Sequence, residues 1–151
     1  MKKISYLILV LGLLFGGVAS AKITILECKY VGGFVNVKGK KEYVTRKEME
    51  AFQKSDFNMD QVFKIDTRKE EIFRLDGHKF YSVKDFTNDF YKKWDDSQIF
   101  WSGSSQPHGW YHTHRLSRLT GKLVESTYQK SDLKKQLREG VYNCQEATKK
   151  F

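Results

Sequence analysis

Three of the four histidines of this chain lie within seven residues, in the segment HGWYHTH at positions 108–114. If that segment is a β-strand, His112 and His114 point to the same face, about 6.6 Å apart along the strand axis. Two imidazoles at that spacing can bind one zinc or copper ion, but a stable site needs at least a third protein ligand. His108 and His78 are the remaining histidine candidates, and spacing alone places neither of them beside the pair.

The alternative is that His112 and His114 are ordinary polar side chains on a hairpin strand. Arg118 has the same parity along the strand, and its charge would repel a divalent cation nearby. Leu116 also shares that parity, so the face is not uniformly polar. We therefore expect the pair to be structural or surface-exposed, and we expect no metal and no other cofactor.

Serine and acidic residues near this segment give little indication of catalysis. Three serines, at positions 102, 104 and 105, precede His108, but the chain has no G-x-S-x-G nucleophile elbow. A serine-rich loop between strands is ordinary turn chemistry. We predict no catalytic residue and expect that the protein is not an enzyme.

Aromatic residues are concentrated in the same part of the chain. Of the twenty aromatic residues that follow position 21, ten lie between Phe80 and Tyr111, including all three tryptophans. Some of them must form the core, since large side chains bury the most area. Any that are exposed beside basic residues would suit a glycan, a peptide or a protein. The candidates for such a binding patch are Trp94, Trp101, Trp110 and Tyr111.

The first 21 residues, MKKISYLILVLGLLFGGVASA, have the pattern of a secretory signal peptide. Two lysines precede an apolar run that is shorter than the roughly 20 residues of a membrane span, and Ala19-Ser20-Ala21 follows as a cleavage site. An uncleaved N-terminal anchor is the alternative. We expect residues 22–151 to form one domain that is periplasmic or secreted and, after cleavage, is not an integral membrane protein.

Charge and cysteine content agree with export. Removing residues 1–21, which hold two lysines and no acidic residue, lowers the formal charge from +9 to +7. For an exported protein this basic surface favours an anionic envelope polymer or a protein as partner, and not a nucleic acid. Cys28 and Cys144 are the two cysteines, and an even count in an exported chain predicts a disulfide between them. Such a bridge would join segments near the two ends of the domain.

Alternation of apolar and polar residues predicts a mainly β protein of about six to eight antiparallel strands. Asp76-Gly77 and Thr120-Gly121 are hairpin signals, and Gly32-Gly33 is expected to turn the chain. Thr45 and Glu48 form a capping box that predicts a helix over residues 45–54. Residues 82–94 could be helix or strand. The predicted fold is a single antiparallel β-barrel or β-sandwich-like domain with one or two short helices.

The order of a strand with Cys28, a meander, the hairpin LSRLTGKL and a last strand with Cys144 resembles small exported bacterial proteins. It is also loosely similar to the periplasmic inhibitors of lysozyme, which are small disulfide-linked β-barrels. Only the Ser-Gly pair of SGSSQPHGW matches their inhibitory loop, so no site residue is carried over. The expected function is a non-enzymatic binding module for a cell-envelope component or a protein partner. A metal-binding protein and a periplasmic enzyme inhibitor are the alternatives.

Overall fold

A computed structural model describes residues 22–52, 59–105 and 109–148, and in these ranges the chain is mainly β. The predicted signal peptide, the last two residues of the predicted helix and His108 lie outside the described residues. The strands are β1 (Ile23–Val37), β2 (Lys40–Thr45), β3 (Gln61–Asp66), β4 (Glu71–Asp76), β5 (Lys79–Ser82), β6 (Asn88–Trp94), β7 (Gln98–Ser105), β8 (Trp110–Ser117), β9 (Lys122–Gln129) and β10 (Asp132–Glu146).

The ten strands of the described residues, more than the six to eight expected, form one antiparallel sheet that curls into a half-barrel. Its strand order is β5-β4-β3-β1-β10-β9-β8-β7-β6, and β2 pairs with β1 beside this path. The sheet is continuous, so the two packed sheets of a sandwich do not describe it. Strands β5 and β6 are the two edges of this path. Because the sheet curls, it has a concave face that can hold side chains from most strands.

The first and last strands pair with each other, as predicted. Cys28 lies directly opposite Cys144 in the β1–β10 ladder, and the two form the expected disulfide. These strands are in the middle of the sheet, between an arm made of β3 to β5 and an arm made of β6 to β9. The disulfide therefore fastens the two arms together at the centre of the fold.

The turn expected at Gly32-Gly33 is wrong, because β1 continues through both glycines to Val37. The chain turns instead after Val37, at Lys38-Gly39, where both residues have positive φ. A Cβ atom on Gly33 would lie 1.9 Å from the carbonyl oxygen of Glu139. The glycine is thus required by the close approach of β10 and not by a turn.

The helix predicted from the capping box is confirmed over α1 (Arg46–Phe52). The backbone N–H of Thr45 donates to the Glu48 carboxylate at 2.8 Å, and the backbone N–H of Glu48 donates to the Thr45 hydroxyl at 3.3 Å. These two bonds satisfy two of the free N–H groups at the helix start. Met49 on this helix packs against the core, so α1 covers part of the concave face.

Residues 82–94 divide into a 3₁₀ turn (Val83–Phe86) and strand β6. The four-residue spacing of Phe90 and Trp94 suits a helix, but four is also an even number and places both on one face of a strand. Both side chains pack against the core from β6. Pairing with β7 therefore decides between two structures that the spacing allows equally.

The hydrophobic core runs along the concave face. Phe63 and Trp101 meet edge to face there, with ring centroids 5.5 Å apart. Aliphatic residues of five strands fill one end of this face: Ile65, Ile72, Ile99, Leu116 and Leu123. Toward the other end, polar residues of the same strand faces replace them, and the packing opens into a cavity.

Candidate ligand-binding cavity

A cavity of about 290 Å³ lies in the concave face of the half-barrel. Much of its wall is apolar and includes Tyr30, Phe63 and Trp101 of the core. Met49 of α1 and Val83 of the 3₁₀ turn also line it. The short helical segments thus border the cavity, while the sheet provides its floor.

The polar floor follows from the period of two along adjacent strands. His112 and His114 of β8 share one face, and both line the cavity. The antiparallel register places His114 opposite Glu125 and His112 opposite Thr127 on β9. On β10, Arg138 lies opposite Thr127. Three neighbouring strands therefore bring polar side chains together, although these residues are distant in sequence.

Glu125 is the centre of a buried hydrogen-bond network. One carboxylate oxygen accepts from the Gln61 amide at 2.8 Å and from the Tyr142 hydroxyl at 3.1 Å. The other oxygen accepts from the Arg138 guanidinium at 3.4 Å. Opposite Glu125 on β10 stands Gly140, where a Cβ atom would lie 3.1 Å from the ring of Tyr142 and 3.3 Å from the ring of Tyr30. A carboxylate this buried requires such partners, because an unpaired buried charge is costly.

The same contacts determine the ionisation of Glu125. Burial raises its pKa, but the Arg138 guanidinium and the Gln61 hydrogen bond, together with His114 where that imidazole is protonated, outweigh burial and lower the pKa below its usual value. The pKa of the Tyr142 hydroxyl is raised by burial and by the negative charge of Glu125. Glu125 is therefore an ionised acceptor at neutral pH, and Tyr142 is a neutral donor.

His112 connects Ser105 to the Glu125 network. Its Nε2 lies 3.3 Å from the Ser105 hydroxyl, and its Nδ1 lies 3.2 Å from the Thr127 hydroxyl. Nδ1 is 3.9 Å from the nearest Glu125 oxygen, too long for a hydrogen bond. A catalytic triad needs the carboxylate bonded to the imidazole. Thr127 takes that position here, so serine, histidine and glutamate are aligned without the arrangement that activates a nucleophile.

His114 stacks on Trp101, with ring centroids 4.7 Å apart and ring planes within 3° of parallel. Its Nδ1 is buried and has no hydrogen-bond partner among the described residues. Burial lowers the pKa of His114 to about 4, even though Glu125 raises it. The imidazole is therefore neutral at neutral pH.

Gln61 carries the second unpaired buried atom. The side chain is 8% exposed, and its Nε2 donates both to Glu125 and to the Tyr142 hydroxyl. Its Oε1 has no partner among the described residues. Rotating the amide would bring Oε1 against the ionised Glu125, so the observed orientation is the favourable one. Two unpaired polar atoms, Gln61 Oε1 and His114 Nδ1, thus belong to residues that line one cavity.

A metal site at His112 and His114 would need a third protein ligand. Within residues 22–52, 59–105 and 109–148, no group of three His, Cys, Asp or Glu side chains could hold a metal ion. His78 is an exposed residue in the turn between β4 and β5 and does not line the cavity. His108 is outside the described residues. Glu125 is near His112, but its oxygens already accept from other side chains.

The four aromatic candidates have different environments. Trp101 is buried and lines the cavity, whereas Trp94 packs against the core without lining it. Trp110 is 44% exposed and lies by a separate shallow depression beside Lys130. The hydroxyl of Tyr111 donates to Ser102 at 2.8 Å. The structure therefore does not gather them into one aromatic patch, and of the four only Trp101 belongs to the described cavity.

Sequence reasoning did not identify Gln61, Glu125, Arg138 or Tyr142. A signal exists in the segment LVESTY, where Glu125 lies in phase with Leu123 and Thr127. A charged residue at a core-facing position of a strand indicates a buried partner or a site. The other three are ordinary strand residues until the fold brings them to this carboxylate.

Comparison of the chain with protein-family models, with curated proteins and with solved structures finds no match. In the described part of the chain, no helix has the length and apolar character needed to cross a membrane.

Proposed function

We propose that the protein is an exported, non-enzymatic binding protein whose concave cavity holds a small cell-envelope component with an apolar body. The observation that supports this most is the cavity itself, which combines apolar and aromatic walls with a small set of polar groups. That combination is typical of ligand sites, where apolar surface supplies affinity and a few polar groups supply orientation.

The size of the cavity limits the ligand. Its volume of about 290 Å³ is roughly twice that of an engineered cavity of about 150 Å³ that binds benzene. A ligand of about two fused rings, or a short chain, therefore fits. A polymer would enter only by one end group or side group.

Charge in the cavity favours an uncharged ligand over an anionic one. Among the described lining residues, Glu125 and Glu139 carry negative charge, and Arg74 and Arg138 carry positive charge. These formal charges cancel. The basic excess of the whole chain is therefore not concentrated in the cavity, where it would have attracted an anion.

The proposed location of the protein is supported by the disulfide and by the predicted signal peptide. The Cys28–Cys144 bridge indicates an oxidising, extracellular compartment. The periplasm or the external medium is the proposed location, because the apolar run followed by Ala19-Ser20-Ala21 suits export by a signal peptide.

The side-chain contacts favour binding over catalysis. Thr127 occupies the Nδ1 position of His112, and Glu125 is committed to Gln61, Tyr142 and Arg138. These contacts hold a rigid polar floor. They do not leave a carboxylate free to orient an imidazole as a general base.

The neutral fluorophore prodan, a substituted naphthalene, tests the proposal, since its emission shifts to the blue in an apolar site. Val35 lines the cavity, whereas Val37, two residues along the same strand, is 43% exposed and does not line it. We expect the wild-type protein to bind prodan saturably and Val35→Trp to weaken binding at least about tenfold. The matched control Val37→Trp should bind like the wild type.

Each variant is first checked for a wild-type circular dichroism spectrum. If prodan shows no saturable binding to the wild-type protein, or binds Val35→Trp as tightly, the proposed function is wrong. Equal weakening by Val35→Trp and Val37→Trp would place prodan outside the cavity and would also contradict it.

A further inference from the structure

We infer that the ligand of this cavity carries an uncharged hydroxyl or amide head group, which bonds to Gln61 Oε1 and His114 Nδ1 while its apolar body lies against the aromatic wall. This inference rests on the proposed function and names the chemical class of the ligand. It depends on two buried polar atoms that the described residues leave without partners, and on the charges around them.

Gln61 requires a hydrogen-bond donor from the ligand. Its side chain is more than nine-tenths buried and lines the cavity, and its Nε2 already donates to Glu125 and Tyr142. The unpaired Oε1 can only accept. A buried acceptor without a partner costs free energy, which a ligand recovers by donating an O–H or N–H to it.

His114 is the second anchor. Its ring stacks on Trp101, and its buried Nδ1 has no hydrogen-bond partner among the described residues. A neutral imidazole nitrogen accepts or donates according to the tautomer. A hydroxyl donates its one proton to Gln61 Oε1 and accepts from Nδ1–H, so it fits the tautomer that is protonated at Nδ1. A primary amide has two N–H groups and a carbonyl, so it donates to Gln61 and satisfies Nδ1 in either tautomer. A carboxylate only accepts and cannot satisfy Gln61 Oε1.

A charged head group is disfavoured for separate reasons. An anion would lie near the ionised carboxylate of Glu125, whose oxygens are already occupied by donors. A cationic head group would lie beside His114, where the surroundings disfavour positive charge. Burial lowers the pKa of that imidazole, and Arg74 and Arg138 lower it further. Glu125 opposes that effect but does not overcome it. The site therefore favours a head group without charge.

Four naphthalene derivatives of one body size test the head group by isothermal titration calorimetry at pH 7.5. They are 2-naphthylmethanol, 2-ethylnaphthalene, 2-naphthoate and 2-naphthylmethylammonium. We expect the alcohol to bind at least about fivefold more tightly than each of the others, which is the size of effect that one well-placed hydrogen bond to a buried group gives.

His114→Phe keeps a ring on Trp101 and removes Nδ1. In this variant we expect the preference for alcohol over hydrocarbon to fall to less than half of the wild-type ratio. His78→Phe makes the same substitution in the exposed turn between β4 and β5 and should leave the ratio unchanged. If His114→Phe does not fold, the comparison of the four compounds on the wild-type protein still decides the question.

Equal affinity for the alcohol and the hydrocarbon would overturn the inference, and so would a preference for the carboxylate or the ammonium ion. In those cases the cavity still binds an apolar body, and the proposed function stands. If none of the four compounds binds, the proposed function itself is overturned.

Discussion

Between pH 7.5 and pH 5, acid should destabilise this protein mainly through His114. Burial lowers the pKa of this imidazole from its ordinary value of 6.5 to about 4, so the unfolded chain takes up the proton more readily than the folded one. The stability that follows from keeping His114 neutral is complete above pH 6.5 and is lost as the pH falls toward 4. The pKa of His112, also lowered by burial, acts in the same direction.

The size of the effect follows from the two pKa values. A difference of about 2.5 pKa units, at about 1.4 kcal/mol per unit, gives about 3.4 kcal/mol for complete protonation. Between pH 7.5 and pH 5, proton linkage for this one group predicts a loss of about 2 kcal/mol in the free energy of unfolding. The groups whose charge acts on the pKa of His114 are Glu125 on β9, His112 on β8, Arg74 on β4 and Arg138 on β10.

Urea unfolding followed by tryptophan fluorescence at pH 7.5, 6 and 5 measures this loss. His114→Phe removes the titrating group and keeps a ring on Trp101. Between pH 7.5 and pH 5, the loss of unfolding free energy should therefore be smaller in this variant than in the wild type, by about 2 kcal/mol. His78→Phe, in the exposed turn, serves as the control and should show the wild-type pH dependence.

An equal loss in wild type and His114→Phe would refute the assignment of the acid sensitivity to this residue. A gain in wild-type stability between pH 7.5 and pH 5 would be a stronger contradiction. It would mean that Glu125 stabilises a charged His114 in the fold, which reverses the sign of the argument.

Other predictions concern the frame of the fold, the buried network and export. Reducing the disulfide, whose cysteines are 116 residues apart, should lower the unfolding free energy by up to about 4–5 kcal/mol, measured by thermal melts with and without reductant. Gly33→Ala should cost about 3 kcal/mol or more, because its Cβ would overlap the Glu139 carbonyl; a wild-type urea midpoint would contradict this. Glu125→Leu should cost about 3–5 kcal/mol by leaving buried donors unpaired, and a smaller loss would mean that these donors find other acceptors. Mass spectrometry of the exported protein should find Lys22 as the first residue, and a retained Met1 would exclude cleavage after Ala21.

Local patterns in the sequence predicted the elements whose structure is decided by neighbouring residues. Alternation identified strands, and Thr45 with Glu48 identified the start of the helix because both bonds of a capping box form within one turn. Asp76-Gly77 and Thr120-Gly121 marked hairpins that the structure contains, with positive φ at both glycines.

Elements that depend on distant partners were predicted less well. Gly32-Gly33 read as a turn because glycine permits positive φ, whereas the structure uses Gly33 to bring β1 against Glu139 of β10. Residues 82–94 stayed undecided because the spacing of Phe90 and Trp94 suits both periods. Neither case can be resolved without knowing which strand lies alongside.

By itself, the sequence determined that the chain is mainly β, that Cys28 and Cys144 can pair, and that His112 and His114 share a strand face. It did not determine which side chains those histidines meet. Alternation states which face a residue occupies, but the order and register of the strands depend on the packing of the whole sheet. Only the tertiary structure places Glu125 opposite His114 and brings Gln61 to the same cavity. The cavity is therefore a property of the curled sheet, because its groups come from strands that no local pattern connects.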